Sequence, residues 1–261
     1  DFGTIAMDLS LRNLGHRYGD LEVLRGINLD IAHGQIVCII GPSGCGKSTL
    51  LRMIGGLERP SAGEVLQIGD PPAGSLNPLT YIFQDFALLP WRTVGGNVSL
   101  VLEDHPLDAQ RRAAIVADVL ARTKLSDFRD VLPKQLSGGM KQRVAIARAL
   151  AVDPAVLLMD EPLSALDSQT AELLIDDLVE LWSREPFTAC YVTHNLGEAV
   201  RLGHRVAVFS RRPGRLREIV DIDIPLAERR DGHPRLEKVR RHLWNLMREE
   251  AEAADQELAD A

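Results

Sequence analysis

The chain has 261 residues, 45% of them apolar and 26% charged, and carries a net charge of −7. That is the composition of a globular protein with room for a large core, and its acidity argues against a broad nucleic-acid surface. No run of about 18 apolar residues is present to form a membrane-spanning helix, no basic-then-apolar leader points to secretion, and three cysteines (Cys38, Cys45 and Cys190) at spacings that suit no metal site fit a reducing cytosol.

Asp1 to Ala6 precede Met7 and read as a remnant ahead of the natural start. Residues 8 to 31 alternate apolar and polar, with Gly15, Gly19 and Gly26 as punctuation, and predict two or three antiparallel strands. Tyr18 sits in the turn-like Arg17-Tyr18-Gly19-Asp20. Its ring face suits a purine, although a half-buried strand-end tyrosine is the commoner outcome for such a residue. Gln35 to Ile40 is a short β-branched run and predicts a buried strand.

The stretch that follows carries the chemistry. Gly41-Pro42-Ser43-Gly44-Cys45-Gly46-Lys47-Ser48 fits G-x-x-x-x-G-K-[ST] at every fixed position, and Thr49, Leu50 and Leu51 open a helix. The glycines let successive backbone N–H groups turn inward toward phosphate oxygens. The loop ends at a helix N-terminus, where unpaired N–H groups and the dipole favour an anion. Lys47 supplies a charge for the β- and γ-phosphates and Ser48 a hydroxyl for Mg²⁺.

Residues 56 to 80 are rich in glycine and proline around one more strand, Gly63 to Ile68. Leu79 to Phe83 predicts a strand ending at Gln84, whose amide oxygen is placed either to ligate Mg²⁺ and position water or to act as a plain strand cap. Phe86 to Trp91 is an apolar, proline-containing loop that suits core packing or a docking surface. From 95 to 150 strand signals vanish, and Ala109 to Thr123 has the spacing of an amphipathic helix. Leu136-Ser137-Gly138-Gly139 then opens another helix. Ser137 is a good N-cap, and two glycines leave the helix end bare, at a cost to the helix that favours a second anion site over an ordinary cap.

Ala155 to Met159 predicts a buried strand, with Asp160 and Glu161 at its end. Adjacent carboxylates there are costly unless used. Asp160 suits a Mg²⁺ shell and Glu161 a general base acting on water. Thr188 to Val192 predicts a strand followed by Thr193 and His194. A structural histidine is the usual outcome, but its place after a sheet strand allows a γ-phosphate contact. Arg205 to Phe209 and Leu216 to Ile224 predict a last hairpin, Arg235 to Glu250 one or two amphipathic helices, and 251 to 261 a frayed acidic tail.

Tyr18, Gly41–Thr49, Gln84, Leu136-Ser-Gly-Gly, Leu158-Met-Asp-Glu, Ser164-Ala-Leu-Asp167 and His194 occur in an order that resembles the ATP-binding cassette subunit of ABC transporters. The resemblance implies a P-loop (RecA-like) α/β core within residues 7–224. It implies an N-terminal antiparallel β subdomain, a helical subdomain at about 95–150 and a C-terminal helical extension, 225–261. It implies that Tyr18 stacks on adenine, that Gly41 to Thr49 hold ATP, and that Ser48, Gln84 and Asp160 hold Mg²⁺. Lys47, Gln84, Glu161 and His194 then serve hydrolysis, and Asp167 resembles the D-loop aspartate. Ser137, Gly138 and Gly139 close over the ATP of a second copy in a head-to-tail homodimer. Gln84-Asp-Phe-Ala-Leu-Leu-Pro-Trp91 with Arg212-Pro-Gly-Arg215 is similar to the nitrate, sulfonate and taurine importer branch. That implies permease subunits docked beside Phe86 to Trp91, a solute-binding protein as an indirect partner, no nucleic acid, and a place at the cytoplasmic face of the membrane. Asn195 departs from the aspartate that many relatives carry. A soluble ABC-type ATPase acting on nucleic acid or ribosomes is the rival; it would bring tandem cassettes or a coiled-coil insertion. A P-loop kinase or GTPase would not need Leu136-Ser-Gly-Gly.

Overall fold

A computed structural model describes residues 7–230 and 232–259, with side chains to residue 252 in the last helix; the expectation for Asp1 to Ala6 lies outside the described residues. In chain order the elements are β1 (Asp8–Tyr18), β2 (Leu21–Ile31), β3 (Ile36–Ile40), α1 (Lys47–Ile54), β4 (Ala62–Ile68), β5 (Leu79–Ile82), α2 (Val94–Ser99) and α3 (Ala109–Arg122). They continue with α4 (Gly138–Leu150), β6 (Val156–Asp160), α5 (Ser168–Arg184), β7 (Thr188–Val192), α6 (Leu196–Leu202), β8 (Arg205–Phe209), β9 (Leu216–Asp221) and α7 (Pro234–Ala259). The chain divides into two compact units, a central-segment unit of residues 70–185 and a two-segment unit built from 7–69 and 186–261.

The two-segment unit holds two sheets. The alternation in residues 8 to 31 makes two long strands rather than three, and β1 pairs antiparallel with both β2 and β4. Leu9, Leu11, Leu14, Ile27 and Ile31 fill its buried face. Tyr18 is the last residue of β1 and pairs with Leu21 across a two-residue turn. In the second sheet β3 lies between parallel neighbours β7 and β8, and β9 runs antiparallel to β8. All five residues of β3 are buried, as a strand covered on both faces requires. The C-terminal residues form one helix that continues to Ala259 instead of fraying after 250, and it buries Leu236, Leu243 and Leu246. Arg229, fully buried, donates to the carbonyls of Ile222, Ile224, Val200 and Gly203. Desolvation draws its pKa down to about 10. Those four carbonyls compensate the buried charge and fasten the chain after β9 to the C-terminal end of α6.

The central-segment unit pairs β5 with β6 in parallel and adds α2 to α5. On α3 the buried residues are Val116, Val119 and Leu120, the stripe that its spacing predicts, behind an Asp108 N-cap. Helix α5 was not read from sequence, although Asp167 as N-cap and the buried series Ala171, Leu174, Ile175, Leu178 and Leu181 are a full helix signal. All three cysteines are buried free thiols.

Candidate functional site

In the two-segment unit, β3 and β7 are in register through Ile39 and Val192. The loop after β3 and the Thr193-His194 step after β7 therefore leave one edge of the sheet, the carboxyl edge where open α/β sheets bind ligands. Gly46 is the N-cap of α1 at φ 103°, and a Cβ there would fall 2.8 Å from Leu24 Cδ2 and 2.9 Å from Val23 Cγ1, so only glycine fits. Lys47 is 7% exposed and folds back onto the loop, donating to the carbonyls of Gly41 at 2.8 Å and Pro42 at 3.0 Å. The ammonium is thus held over the concave side of the loop by two neutral acceptors, which a phosphate oxygen outcompetes as a charged partner. Ser48 follows on the first turn of α1.

Tyr18 is 45% exposed. Its hydroxyl donates to Glu58 at 2.8 Å and its ring meets His16 edge-on, with centroids 4.6 Å apart. The ring is therefore fixed by its rim while the residue stays open to a planar ligand. His194 is exposed between β7 and α6. The chain on either side of it is anchored: Thr193 N–H donates to Ile39 O, and Tyr191 and Thr193 hydroxyls both donate to the buried Glu198 at 2.8 Å. Asn195 caps α6, accepting from Gly197 N–H at 2.8 Å, so the departure from aspartate keeps the capping oxygen. An open groove beside His194 is lined by Asn195, Arg240, Arg241 and Trp244.

In the central-segment unit, Ile82 of β5 pairs with Met159 of β6, which brings Gln84, Asp160 and Glu161 to one edge. Gln84 is exposed there. Asp160 closes β6 and accepts from the Tyr81 hydroxyl at 2.9 Å. Glu161 stands at φ 45°, a left-handed conformation that costs a non-glycine residue energy. Its carbonyl takes both the Ser164 N–H (3.2 Å) and hydroxyl (2.9 Å), which over-determines the turn. The chain thus turns sharply at the second of two adjacent carboxylate residues.

Ser137 caps α4, accepting from Met140 N–H at 3.3 Å. The two glycines after it are there for space: a Cβ on Gly138 would lie 2.9 Å from Leu166 Cδ2, and one on Gly139 would lie 2.6 Å from Thr170 Cγ2. Asp167 caps α5, and the Thr170 hydroxyl and N–H hold its carboxyl below the ordinary range.

The two-segment unit thus carries Tyr18, Gly41 to Thr49 and His194, and the central-segment unit carries Gln84, Asp160, Glu161 and Ser137 to Gly139. Residues 24–164 match the family model described as "ABC transporter". The chain belongs to the ABC transporter family. A putative ATP-binding protein of Brucella abortus biovar 1 is 44% identical over 252 residues, covering 95% of this chain and 96% of the relative. Aliphatic sulfonates import ATP-binding protein SsuB 1 of Xanthomonas axonopodis pv. citri is 45% identical over 226 residues (86% and 90%). Nitrate import ATP-binding protein NrtD of Synechocystis sp. is 42% identical over 218 residues (84% and 82%). Among solved structures, cbiO1 from Clostridium perfringens, part of an ABC transporter complex, superposes with a TM-score of 0.74 at 30% identity, covering 82% of this chain and 88% of that one. A dimeric ATP-binding cassette in a post-hydrolysis state with ADP and Pi gives 0.67 at 33% identity (82% and 98%). The α/β fold expected from sequence is that of an ATP-binding cassette.

Some residues around the cassette's site were not singled out from sequence. Tyr81 is one; a phenol on the short strand that leads to Gln84 was the available signal. Asn97, fully buried, accepts from Leu89 N–H and donates to the carbonyls of Leu89, Arg92 and Thr93. Arg148 on α4 donates to the carbonyls of Phe86 at 3.0 Å and Ala87 at 2.6 Å. These two side chains shape the Phe86–Trp91 loop and leave Trp91 73% exposed. No local pattern reveals either.

Proposed function

We propose that this chain is the ATP-hydrolysing subunit of an ABC importer for a small anion of the nitrate, sulfonate or taurine kind. The observation that carries the reading is a phosphate-binding loop and a serine-capped, side-chain-bare helix end, Ser137 to Gly139, on one cassette 42–46% identical to named nitrate and sulfonate import subunits. Gly41 to Thr49 bind the phosphates through backbone N–H groups and Lys47, and Tyr18 stacks on adenine. Ser48, Gln84 and Asp160 are hard oxygen donors of the sort Mg²⁺ takes when it shares its shell with phosphates and water. Bound there, Mg²⁺ neutralises phosphate charge. Glu161 takes the proton of the attacking water, with His194 at the γ-phosphate and Gln84 orienting the water.

Two copies associate head to tail, each placing Ser137, Gly138 and Gly139 over the nucleotide of the other, so that ATP stabilises the dimer and hydrolysis releases it. Residues 95–150 act as the helical subdomain of a RecA-like core spanning 7–224, and 225–261 as an extension. The exposed Trp91 loop receives a membrane permease, which fixes the chain at the cytoplasmic face of the membrane; a solute-binding protein acts through that permease. Steady-state ATPase assays and sedimentation test this. Glu161→Gln is expected to lower kcat by about 10² to 10⁴-fold, the usual worth of a general base, and to sediment as a dimer with ATP and Mg²⁺. Unchanged turnover, or monomer alone under those conditions, refutes the proposal.

A further inference from the structure

The Arg212-Pro213-Gly214-Arg215 segment between β8 and β9 has no role in the scheme above, yet it lies against the phosphate-binding loop. Arg212 donates to the carbonyl of Gly44 through both Nε (3.2 Å) and Nη2 (3.0 Å). Gly214 packs on the next carbonyl: a Cβ there would fall 2.1 Å from Cys45 O, a backbone atom that has no room to yield. The segment itself is rigid. Gly214 exchanges hydrogen bonds with the start of β2, donating to Val23 O at 2.8 Å and accepting from Arg25 N–H at 3.0 Å. Ser210 and Arg215 close the loop on each other, by Ser210 N–H to Arg215 O at 2.9 Å and Arg215 N–H to Ser210 Oγ at 3.1 Å. Glu250 of α7 accepts from Arg211 N–H at 2.9 Å and from Arg217 Nη1 at 2.9 Å. Arg212 is therefore presented to Gly44 from a strap tied at three points.

In a trans peptide the C=O and N–H point in opposite directions within one plane. Gly44, at φ 75°, is the most permissive residue type in the loop, and from inside the loop its peptide to Cys45 is held by one long hydrogen bond, Cys45 N–H donating to Pro42 O at 3.3 Å. A two-pronged grip on Gly44 O braces the opposite edge of that plane, so that the Cys45 N–H stays turned into the loop beside Pro42 O. The guanidinium charge also polarises the peptide and strengthens that N–H as a donor. We propose that Arg212 is a positioning residue of the nucleotide site, holding the Gly44–Cys45 peptide in the orientation that receives a polyphosphate. It acts through the backbone and does not touch the nucleotide. The proposal rests on the reading of this loop as the ATP site.

Arg212→Gln tests the geometry, because a glutamine amide nitrogen occupies the same place along the side chain as arginine Nε and donates without charge. Arg212→Lys keeps the charge and loses the planar fork. Calorimetry with ADP on the full chain is expected to show Arg212→Ala binding about three- to tenfold more weakly, the worth of an exposed charge-assisted hydrogen bond, with Arg212→Gln recovering most of the loss. The KM for ATP rises in step while kcat stays within about twofold. In the nucleotide-free chain, amide exchange across residues 41–47 quickens in Arg212→Ala and not in Arg212→Gln. Equal ADP affinity in wild type and Arg212→Ala overturns the proposal. So does wild-type affinity in Arg212→Lys with none recovered in Arg212→Gln, which makes Arg212 a point charge, and so does a fall in kcat that tracks a lower melting temperature, which makes it structural. A wild-type chain that binds no ADP instead removes the nucleotide reading, and the proposal with it.

Discussion

Helix α1 starts directly after a glycine and α4 on two of them, and the glycines answer different constraints. Before α1, Gly44 and Gly46 stand at φ 75° and 103°, where an L side chain is strained. The loop's shape starts in its own backbone, with Val23 and Leu24 crowding Gly46 and Arg212 holding Gly44 O from outside. At α4, Gly138 and Gly139 have no such conformation; they are small because Leu166 and Thr170 of the next segment come within 3 Å of where their Cβ atoms would be. One helix end is a loop with a lysine folded onto it. The other is a serine-capped end packed against Leu166 and against Thr170 of α5. On the function proposed above, the first end binds phosphate by itself and the second needs a nucleotide brought to it by another copy.

Removing the lysine tests the first half of that contrast most severely. Lys47→Ala is expected to weaken ADP binding on the order of 100-fold, the worth of losing one well-placed charge-assisted contact to phosphate, as read by calorimetry on the isolated chain. The loss should appear without any second copy present. Affinity within a few-fold of wild type would mean that the loop does not bind phosphate by itself.

Crowding the second helix end should leave nucleotide binding by the isolated chain alone and act on packing. Gly139→Ala is expected to cost about 1–3 kcal/mol of stability, the range for overpacking a tight contact, measured by urea denaturation. Thr170→Ser removes the methyl in the way and keeps the hydroxyl that bonds Asp167, so the double variant should regain most of the loss. Gly138→Ala meets only the end of a flexible leucine and should cost less. No recovery in the double variant would show that the second glycine is needed for something other than Thr170.

The same contrast explains what was legible in the sequence. The first loop, its strand and its helix were readable because motif, φ demands and β-branched run all lie within 15 or so consecutive residues. Asp160 and Glu161 were readable because carboxylates at an apolar strand end are costly wherever the strand goes. The space requirement at Gly138 and Gly139 was not, since Thr170 lies some 30 positions on, and the sequence suggested a bare anion-binding end without showing what sterically forces it. Arg148 on Phe86 and Ala87, Tyr81 on Asp160 and Arg212 on Gly44 are contacts over still longer separations. Such partners become visible only when the sheet order is known. Helix α5 is a different case, because its Asp167 N-cap and its apolar stripe are local signals that the sequence carries in full.

Tyr18 is the residue for which composition and resemblance disagreed, a common strand-end tyrosine against an adenine platform, and it has the smallest expected effect. The geometry permits a clean separation. Its hydroxyl is committed to Glu58, which also approaches His16 Nε2 at 3.1 Å, so the hydroxyl serves to hold the ring and the ring would serve the ligand. Tyr18→Phe removes the tether and keeps the face; Tyr18→Ala removes both. A stacked ring contributes about 0.5–1.5 kcal/mol, so Tyr18→Ala should weaken ADP two- to tenfold, by roughly the conversion of 1.4 kcal/mol per tenfold, and Tyr18→Phe by less. A competition with pyrophosphate in place of ADP sharpens the reading, because a ligand without a base should bind wild type and Tyr18→Ala alike. If pyrophosphate affinity falls in parallel with ADP affinity, Tyr18 supports the shape of the loop through its strand, and the ordinary reading of a strand-end tyrosine stands.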